Sequence, residues 1–247
     1  MAIKVIDISY AQQKVDFSKI KDAGISAVII RTGYYGKTDT MFHSHMNGAI
    51  AAGLDIGVYT YIMAENIEQA VTEAKQTISR LEQYKGYVNY PVFCDMEHNK
   101  YYNNSLYTRA DRTDIIEAFC NTVSENGYYP GVYINPSWLN EWVEKDAIKG
   151  KYDIWLAAWT DNPDIQTRYD YGQKMWQWGT AEVDGISGRV DSNLCYVDYP
   201  TIISRAGKNY LSEKCVIMAR KEISSSQKDE TIRQLKDMGF SVCTDCV

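Results

Sequence analysis

Residues 20–31 read IKDAGISAVIIR. A helical pattern stops at Gly24, and a run rich in β-branched residues follows. The same order returns in IAAGLDIGVYTY (50–61), around Gly53, and in VSENGYYPGVYI (123–134), around Gly127. A glycine just past a helix accepts the left-handed conformation that ends it. Helix, glycine and apolar strand in repeated succession point to a parallel sheet or barrel.

Working outward from these units, strands are expected near 4–8, 27–32, 54–61, 91–97, 128–134, 153–158, 174–178 and 189–195. Helices are expected near 17–23, 41–52, 66–84, 109–126 and 136–148. The third helix has the clearest spacing, with Ile67, Ala70, Val71, Ala74, Ile78 and Leu81 on one stripe. After about residue 150 the helical patterns fade into turn-rich connections. The expected fold class is α/β: an irregular β/α barrel of five strand–helix pairs plus three further strands, with a small C-terminal β-α-β segment. Eight strands can close on themselves and leave no exposed edge. The 247 residues suit one barrel over about 1–205, with a second segment at 208–247.

Composition narrows the function. The net charge of −6 disfavours a nucleic-acid partner. No apolar run approaches the roughly 20 residues of a membrane helix, so no membrane insertion is expected. The opening MAIKVIDISY enters a strand pattern directly and lacks the charged-then-apolar stretch of a secretory signal. Tyr (20) and Trp (6) far outnumber Phe (5), which favours surfaces that need a flat apolar face with a polar edge, sugar rings among them. Cys94 reads as a small core residue. Cys243 and Cys246 form one C-x-x-C, but a zinc site needs two further ligands and only Cys215 is near in sequence. No metal and no cofactor are expected.

In barrels of this kind the chemistry gathers at the C-terminal ends of the strands. The stretch YPVFCDMEHN (90–99) ends an apolar run in Asp95 and Glu97. Two residues apart on a strand they point the same way, with Cα atoms roughly 6.5–7 Å apart. Two ionised carboxylates so close repel unless a shared proton or donors relieve them, which is the arrangement for acid–base chemistry. Asp7 ends the first strand, and Asp191 and Asn193 lie on the eighth. Taken alone, Asp7 also reads as a helix cap. Tyr59 and Tyr61 end the third strand, and Gln177 lies between Trp176 and Trp178. Tyr59, Tyr61, Tyr133, Trp159 and Trp176 are candidates to line a saccharide groove, Tyr61 and Trp176 first. Packing inside the barrel is the competing role for each.

These residues resemble glycoside hydrolase family 25, the N-acetylmuramidases of phages, bacteria and some fungi. The resemblance rests on DIS (7–9), FCDMEHN (93–99), AAW (157–159), MWQW (175–178) and RVDSN (189–193), and covers about residues 3 to 200. It implies cleavage of the β-1,4 bond between N-acetylmuramic acid and N-acetylglucosamine in bacterial peptidoglycan. It also implies Glu97 as general acid, Asp95 as its partner carboxylate, and Asp7 and Asp191 as the other two site acids. Three routes stay open: a carboxylate nucleophile, an inverting water, and attack by the substrate's own acetamido oxygen. The last, with net retention, is preferred, because the substrate carries that group and Asp95 sits beside the acid. A catalytically silent glycan-binding barrel and a glycosidase for another N-acetylated polymer, such as chitin, are the alternatives.

The family pattern ends near 205. The remainder, KCVIMARKEISSSQKDETIRQLKDMGFSVCTDCV (214–247), reads strand, helix, strand. From residue 208 it holds 7 Lys/Arg against 6 Asp/Glu, so the acidity belongs to the barrel. About forty residues are marginal for an independent fold. The segment therefore reads either as a wall-binding or homodimerising module, or as part of an incomplete domain. The setting expected from the resemblance is an endolysin made in the cytoplasm and released to the wall, or a bacterial autolysin whose signal has been removed.

Overall fold

The computed structural model describes residues 2–97, 107–160 and 170–211, together with Arg233. The chain divides into two compact units, Met1–Glu213 and Lys214–Val247. The expected β-α-β segment and Cys215, Cys243 and Cys246 lie outside the described residues.

Along the chain run β1 (Ile3–Ile8), α1 (Phe17–Asp22), β2 (Ala27–Tyr34), β3 (Lys37–Thr38), α2 (Phe42–Ala52), β4 (Asp55–Tyr61), α3 (Ile67–Leu81), β5 (Val92–Asp95), α4 (Arg109–Glu125), β6 (Pro130–Ile134), α5 (Lys145–Lys149), β7 (Asp153–Ala157), β8 (Met175–Glu182), β9 (Arg189–Cys195) and α6 (Tyr199–Arg205). The sheet order is β1-β9-β8-β7-β6-β5-β4-β2, and β1 pairs again with β2, which closes eight strands into a barrel. β3 is a short return hairpin on the end of β2. Neighbours from β1 through β2 and β4 to β8 pair in parallel. β9 alone among the barrel strands runs antiparallel to both neighbours. All eight expected strands are present, and Gly24, Gly53 and Gly127 take the left-handed conformation (φ +86°, +65° and +83°) that their place after a helix requires.

Strand alternation sorts the core into two layers. Ile6, Ile8, Val28, Ile30, Ile56, Val58, Val92, Cys94, Val132 and Ile134 face the helices. Val5, Ala27, Ile29, Phe93, Tyr133, Trp155, Met175 and Cys195 fill the barrel, and Tyr199 and Ile203 of α6 pack against this inner cluster. The inner layer is tight enough to demand glycine on β4. A Cβ at Gly57 would stand 2.6 Å from Ile29 Cδ1 and 2.8 Å from Tyr90 Cβ. Gly57→Ala should therefore overpack the barrel and cost about 1–3 kcal/mol. Its thermal midpoint should fall by several degrees, by calorimetry; an unchanged midpoint would show that the interior has slack.

Three local expectations are corrected. The helix expected over 136–148 is a π-turn at Trp138–Trp142 followed by short α5. Here tertiary packing overrides helix periodicity: Trp138 and Trp142 stack at 6.1 Å, the Arg112 guanidinium lies 4.8 Å over the Trp142 ring, and Val143 is extended and buried. On α3, Ile67 is exposed, and Thr77 takes a buried place. β5 stops at Asp95, not at 97, because Asp95 is the last residue with partners on both sides, Tyr61 and Tyr133. Beyond α6 the chain stays packed on the barrel. Asn209 is buried, donates to Tyr90 O at 2.9 Å and accepts from Tyr129 N at 2.6 Å.

Candidate active site

Inward-facing positions at one end of the barrel bring the polar residues together. Asp7 comes from β1, Arg31 from β2, Tyr59 and Tyr61 from β4, Asp95 from β5, Tyr133 from β6, Gln177 from β8, and Asp191 and Asn193 from β9. The parallel strands offer their C-terminal ends there. β9 is reversed and offers its N-terminal end, so Asp191 stands directly opposite Asp7 in the β1–β9 register. Residues so paired project on the same face. β2 and β8 each carry an irregularity just after their site residue, between Arg31 and Gly33 and between Gln177 and Gly179. Bulges of this sort re-aim side chains at the rims of barrels.

Glu97 has left the sheet, two residues beyond the end of β5, so strand pleating does not set its direction. It is nevertheless half-buried and hydrogen-bonded to Tyr133. Asp95 is 5 % exposed, and its Oδ1 has no hydrogen-bond partner. A buried carboxylate oxygen left without a donor is costly, and such atoms gather where a ligand is to be met.

Two indoles fix the polarity of the network around Asp7. Trp155 Nε1 donates to Asn193 Oδ1 at 2.8 Å, and Trp159 Nε1 donates to Gln177 Oε1 at 2.9 Å. An indole can only donate, so each amide must turn its oxygen to the tryptophan and its NH2 the other way. Both NH2 groups then donate to the same oxygen, Asp7 Oδ2, at 2.9 Å from Asn193 and 3.1 Å from Gln177. Oδ2 is thus an acceptor in every state, and a proton on Asp7 resides on Oδ1.

Four carboxyl groups in a buried mouth cannot all ionise freely. Burial and the Asp191 charge push Asp7 up to about 7, against the Asn193 and Gln177 donors. Burial, then the charges of Glu97 and Asp7, raise Asp95 well above the usual carboxylate range, and Arg31 works against them. Burial also raises Glu97 and Asp191. Arg31 is a site residue that the sequence reading missed. It pairs with Asp39 at 2.8 Å and lies between the rings of Tyr10 and Tyr34, at 4.8 and 5.0 Å. A cation ending the apolar run AVIIR was the available signal.

The aromatic candidates separate by accessibility. Trp159 is 64 % exposed, with its ring free while its N–H is held by Gln177. It borders a groove of about 460 Å³ with Thr160, Trp178, Gly179, Thr180 and Arg189. Tyr59 and Tyr61 are half-buried, and the Tyr59 ring sits edge-on to Trp155 at 6.0 Å. Trp176, a leading candidate from the sequence, is 1 % exposed. It lies between inward-facing Met175 and Gln177, so alternation turns it away from the mouth, and its N–H donates to Ala158 O at 2.8 Å. Gln177, Asn193 and Tyr133 are buried in the network and make up its frame. Among the described residues, no group of three or more His, Cys, Asp or Glu could hold a metal ion. No helix among them is long and apolar enough to cross a membrane.

The sequence profile of the family described as Glycosyl hydrolases family 25 matches residues 6–186. The "Autolytic lysozyme" of Clostridium acetobutylicum is 36 % identical over 80 residues, covering 32 % of this chain and 25 % of that protein. The modular autolysin LytC from Streptococcus pneumoniae, solved in complex with a synthetic peptidoglycan ligand, matches with a TM-score of 0.69 and 32 % identity over 79 % of this chain and 47 % of its own. The catalytic domain of endolysin ply40, from bacteriophage P40 of Listeria monocytogenes, shares the fold with a TM-score of 0.69 at 23 % identity, over 82 % of this chain and 97 % of its own. The chain spans about a quarter of the matched clostridial protein and about half of the pneumococcal one.

Proposed function

The chain belongs to glycosyl hydrolases family 25, and on that premise we propose that it is a lysozyme that cuts the β-1,4 bond between N-acetylmuramic acid and N-acetylglucosamine in peptidoglycan. The observation that carries this reading is the set of four acids, Asp7, Asp95, Glu97 and Asp191, gathered at one barrel mouth with an unpartnered oxygen on Asp95. The synthetic peptidoglycan ligand held by the pneumococcal relative supports the choice of substrate. The exposed Trp159 ring beside its groove offers a stacking face for the glycan.

In this reading burial keeps Glu97 protonated, and it gives that proton to the leaving oxygen as the C1–O bond breaks. Asp95 Oδ1 accepts the N–H of the 2-acetamido group, whose oxygen closes on C1; water then opens the ring with net retention. Asp7 and Asp191 shape the field of the site. The same chemistry suits an endolysin or an autolysin acting on the cell wall.

Digestion of purified peptidoglycan, borohydride reduction and mass spectrometry test the bond. New reduced muramic acid ends are expected. Reduced glucosamine ends would make the protein a glucosaminidase, and binding without cleavage would leave a glycan-binding barrel. NMR of the first-formed anomer should show β-product; initial α-product would exclude both retaining routes.

A further inference from the structure

Two exposed rings stand at the mouth with no part in the reaction described above. Tyr10, just past the end of β1, is 51 % exposed, and Tyr34, the last residue of β2, is 44 % exposed. Neither is loose. The Arg31 guanidinium lies over one face of each ring, at 4.8 and 5.0 Å. Buried Asp39 holds this arrangement from below: its Oδ2 accepts from Arg31 Nε at 2.8 Å and from Tyr10 N at 3.0 Å. With one face covered, the exposure of each ring belongs to its other face and its edge. A buried ion pair adds little to stability by itself, but this one fixes two aromatic faces toward solvent.

Register ties the pair to the acids. Tyr34 is aligned with Tyr61, and Tyr61 with Asp95. Residues aligned across neighbouring strands share a face, so Tyr34, Tyr61 and Asp95 make one row along the rim. Strand order gives the rest. From β2 to β7, which leads to Trp159, the barrel passes β4, β5 and β6 one way and β1, β9 and β8 the other. Trp159 thus follows the strand opposite β2. Asp95 on β5 and Asp191 on β9 each lie midway between. A line from Trp159 to Tyr34 crosses the mouth between those two carboxyl groups.

We propose that Tyr10 and Tyr34 form a sugar-stacking subsite opposite Trp159, so that the glycan lies along the β2–β7 diameter with the bond to be cut near its middle. The proposal rests on the muramidase reading and says where that substrate runs. A flat aromatic face with a polar edge suits a sugar ring, whose C–H groups pack on the face while its hydroxyls reach the edge. Arg31 and Asp39 act through the two rings and are positioning residues. A β-1,4-linked chain is extended, so only one several sugars long reaches both platforms. The second platform therefore selects for chain length.

The test is a calorimetric titration of the full chain carrying Glu97→Gln, so that glycan is bound and not cut. The probes are peptide-free chains of alternating N-acetylglucosamine and N-acetylmuramic acid, two and six sugars long. The longer chain should bind more tightly, and Tyr10→Ala or Tyr34→Ala should each weaken it by about tenfold. Tyr10→Phe and Tyr34→Phe keep the ring and should bind as the parent does. In the parent labelled with ¹³C-tyrosine, the Tyr10 and Tyr34 ring signals should shift on adding the longer chain, a readout that needs no substitution at either ring. Unmoved signals, or an affinity unchanged in both alanine variants, overturn the proposal. So does a loss as large with phenylalanine as with alanine, which would make the contact one of the hydroxyls. Binding needs no catalysis. If the two rings take the glycan but the wild type cuts none, the muramidase reading falls and the subsite stands; if the wild type cuts and the affinity ignores both rings, the subsite alone falls.

Discussion

Glu97→Gln should lower peptidoglycan cleavage by about 10²–10⁴-fold, the span a positioned general acid contributes. The amide keeps the shape and volume of the side chain but has no proton to give at neutral pH. Glu97 is half-buried beside Tyr133, so its neutral amide removes a raised carboxylate without opening a cavity. Glycan binding should persist, which separates a lost proton donor from a lost fold. A glycoside whose leaving group departs without protonation, such as a nitrophenyl glycoside, should be cut by the variant at nearly the wild-type rate. Muropeptide release and this chromogenic assay together decide the matter. Cleavage of the natural polymer within tenfold of wild type would remove Glu97 from the acid's role.

The second large effect is expected in stability against pH. The Asp7 carboxyl is raised from 3.8 to about 7 by burial and by Asp191. Between those values the folded chain holds a proton that the unfolded chain has released. The stability so gained is fully present below about 4 and is lost as pH rises through about 7. For Asp7 taken alone the shift corresponds to about 4 kcal/mol, and less in practice because the four acids share protons. Burial lowers His45, so it acts in the opposite sense at the acid end, where its stability is lost as pH falls. A thermal midpoint drop of about 10 °C from pH 5 to pH 8 is expected. Asp7→Asn should flatten that drop and raise the midpoint at pH 8, since its oxygen can still accept from Gln177 and Asn193. The difference between the two proteins cancels the His45 contribution. A wild-type midpoint that is flat or rising over this range, or an Asp7→Asn midpoint below wild type at pH 8, would contradict the shared-proton site.

Much of this was legible in the chain order. The glycines at 24, 53 and 127 mark helix ends because few other residues take positive φ cheaply, and that signal survives any tertiary context. Asp95 and Glu97 stood out because two carboxylates so close at a strand end repel and have no local reason to be kept together, whereas Asp7 taken alone also reads as a helix cap. Trp176 was misread because which face of a strand looks inward depends on neighbouring strands: Met175 and Gln177 take the interior, and the residue between them cannot. The helix expected over 136–148 failed for a related reason, since stacking of Trp138 on Trp142 is a packing event that periodicity does not encode.

The sequence by itself determined the eight strands and the closed α/β architecture, because hydrophobic period and glycine stops are local properties. Only the tertiary structure decided where protons can sit. Asp7 and Gln177 are 170 positions apart in the chain, yet they meet at 3.1 Å. The donor-only indoles of Trp155 and Trp159 orient the amides between them. Hydrogen-bond polarity is a property of which groups face one another across closed strands, and no spacing along the chain carries it.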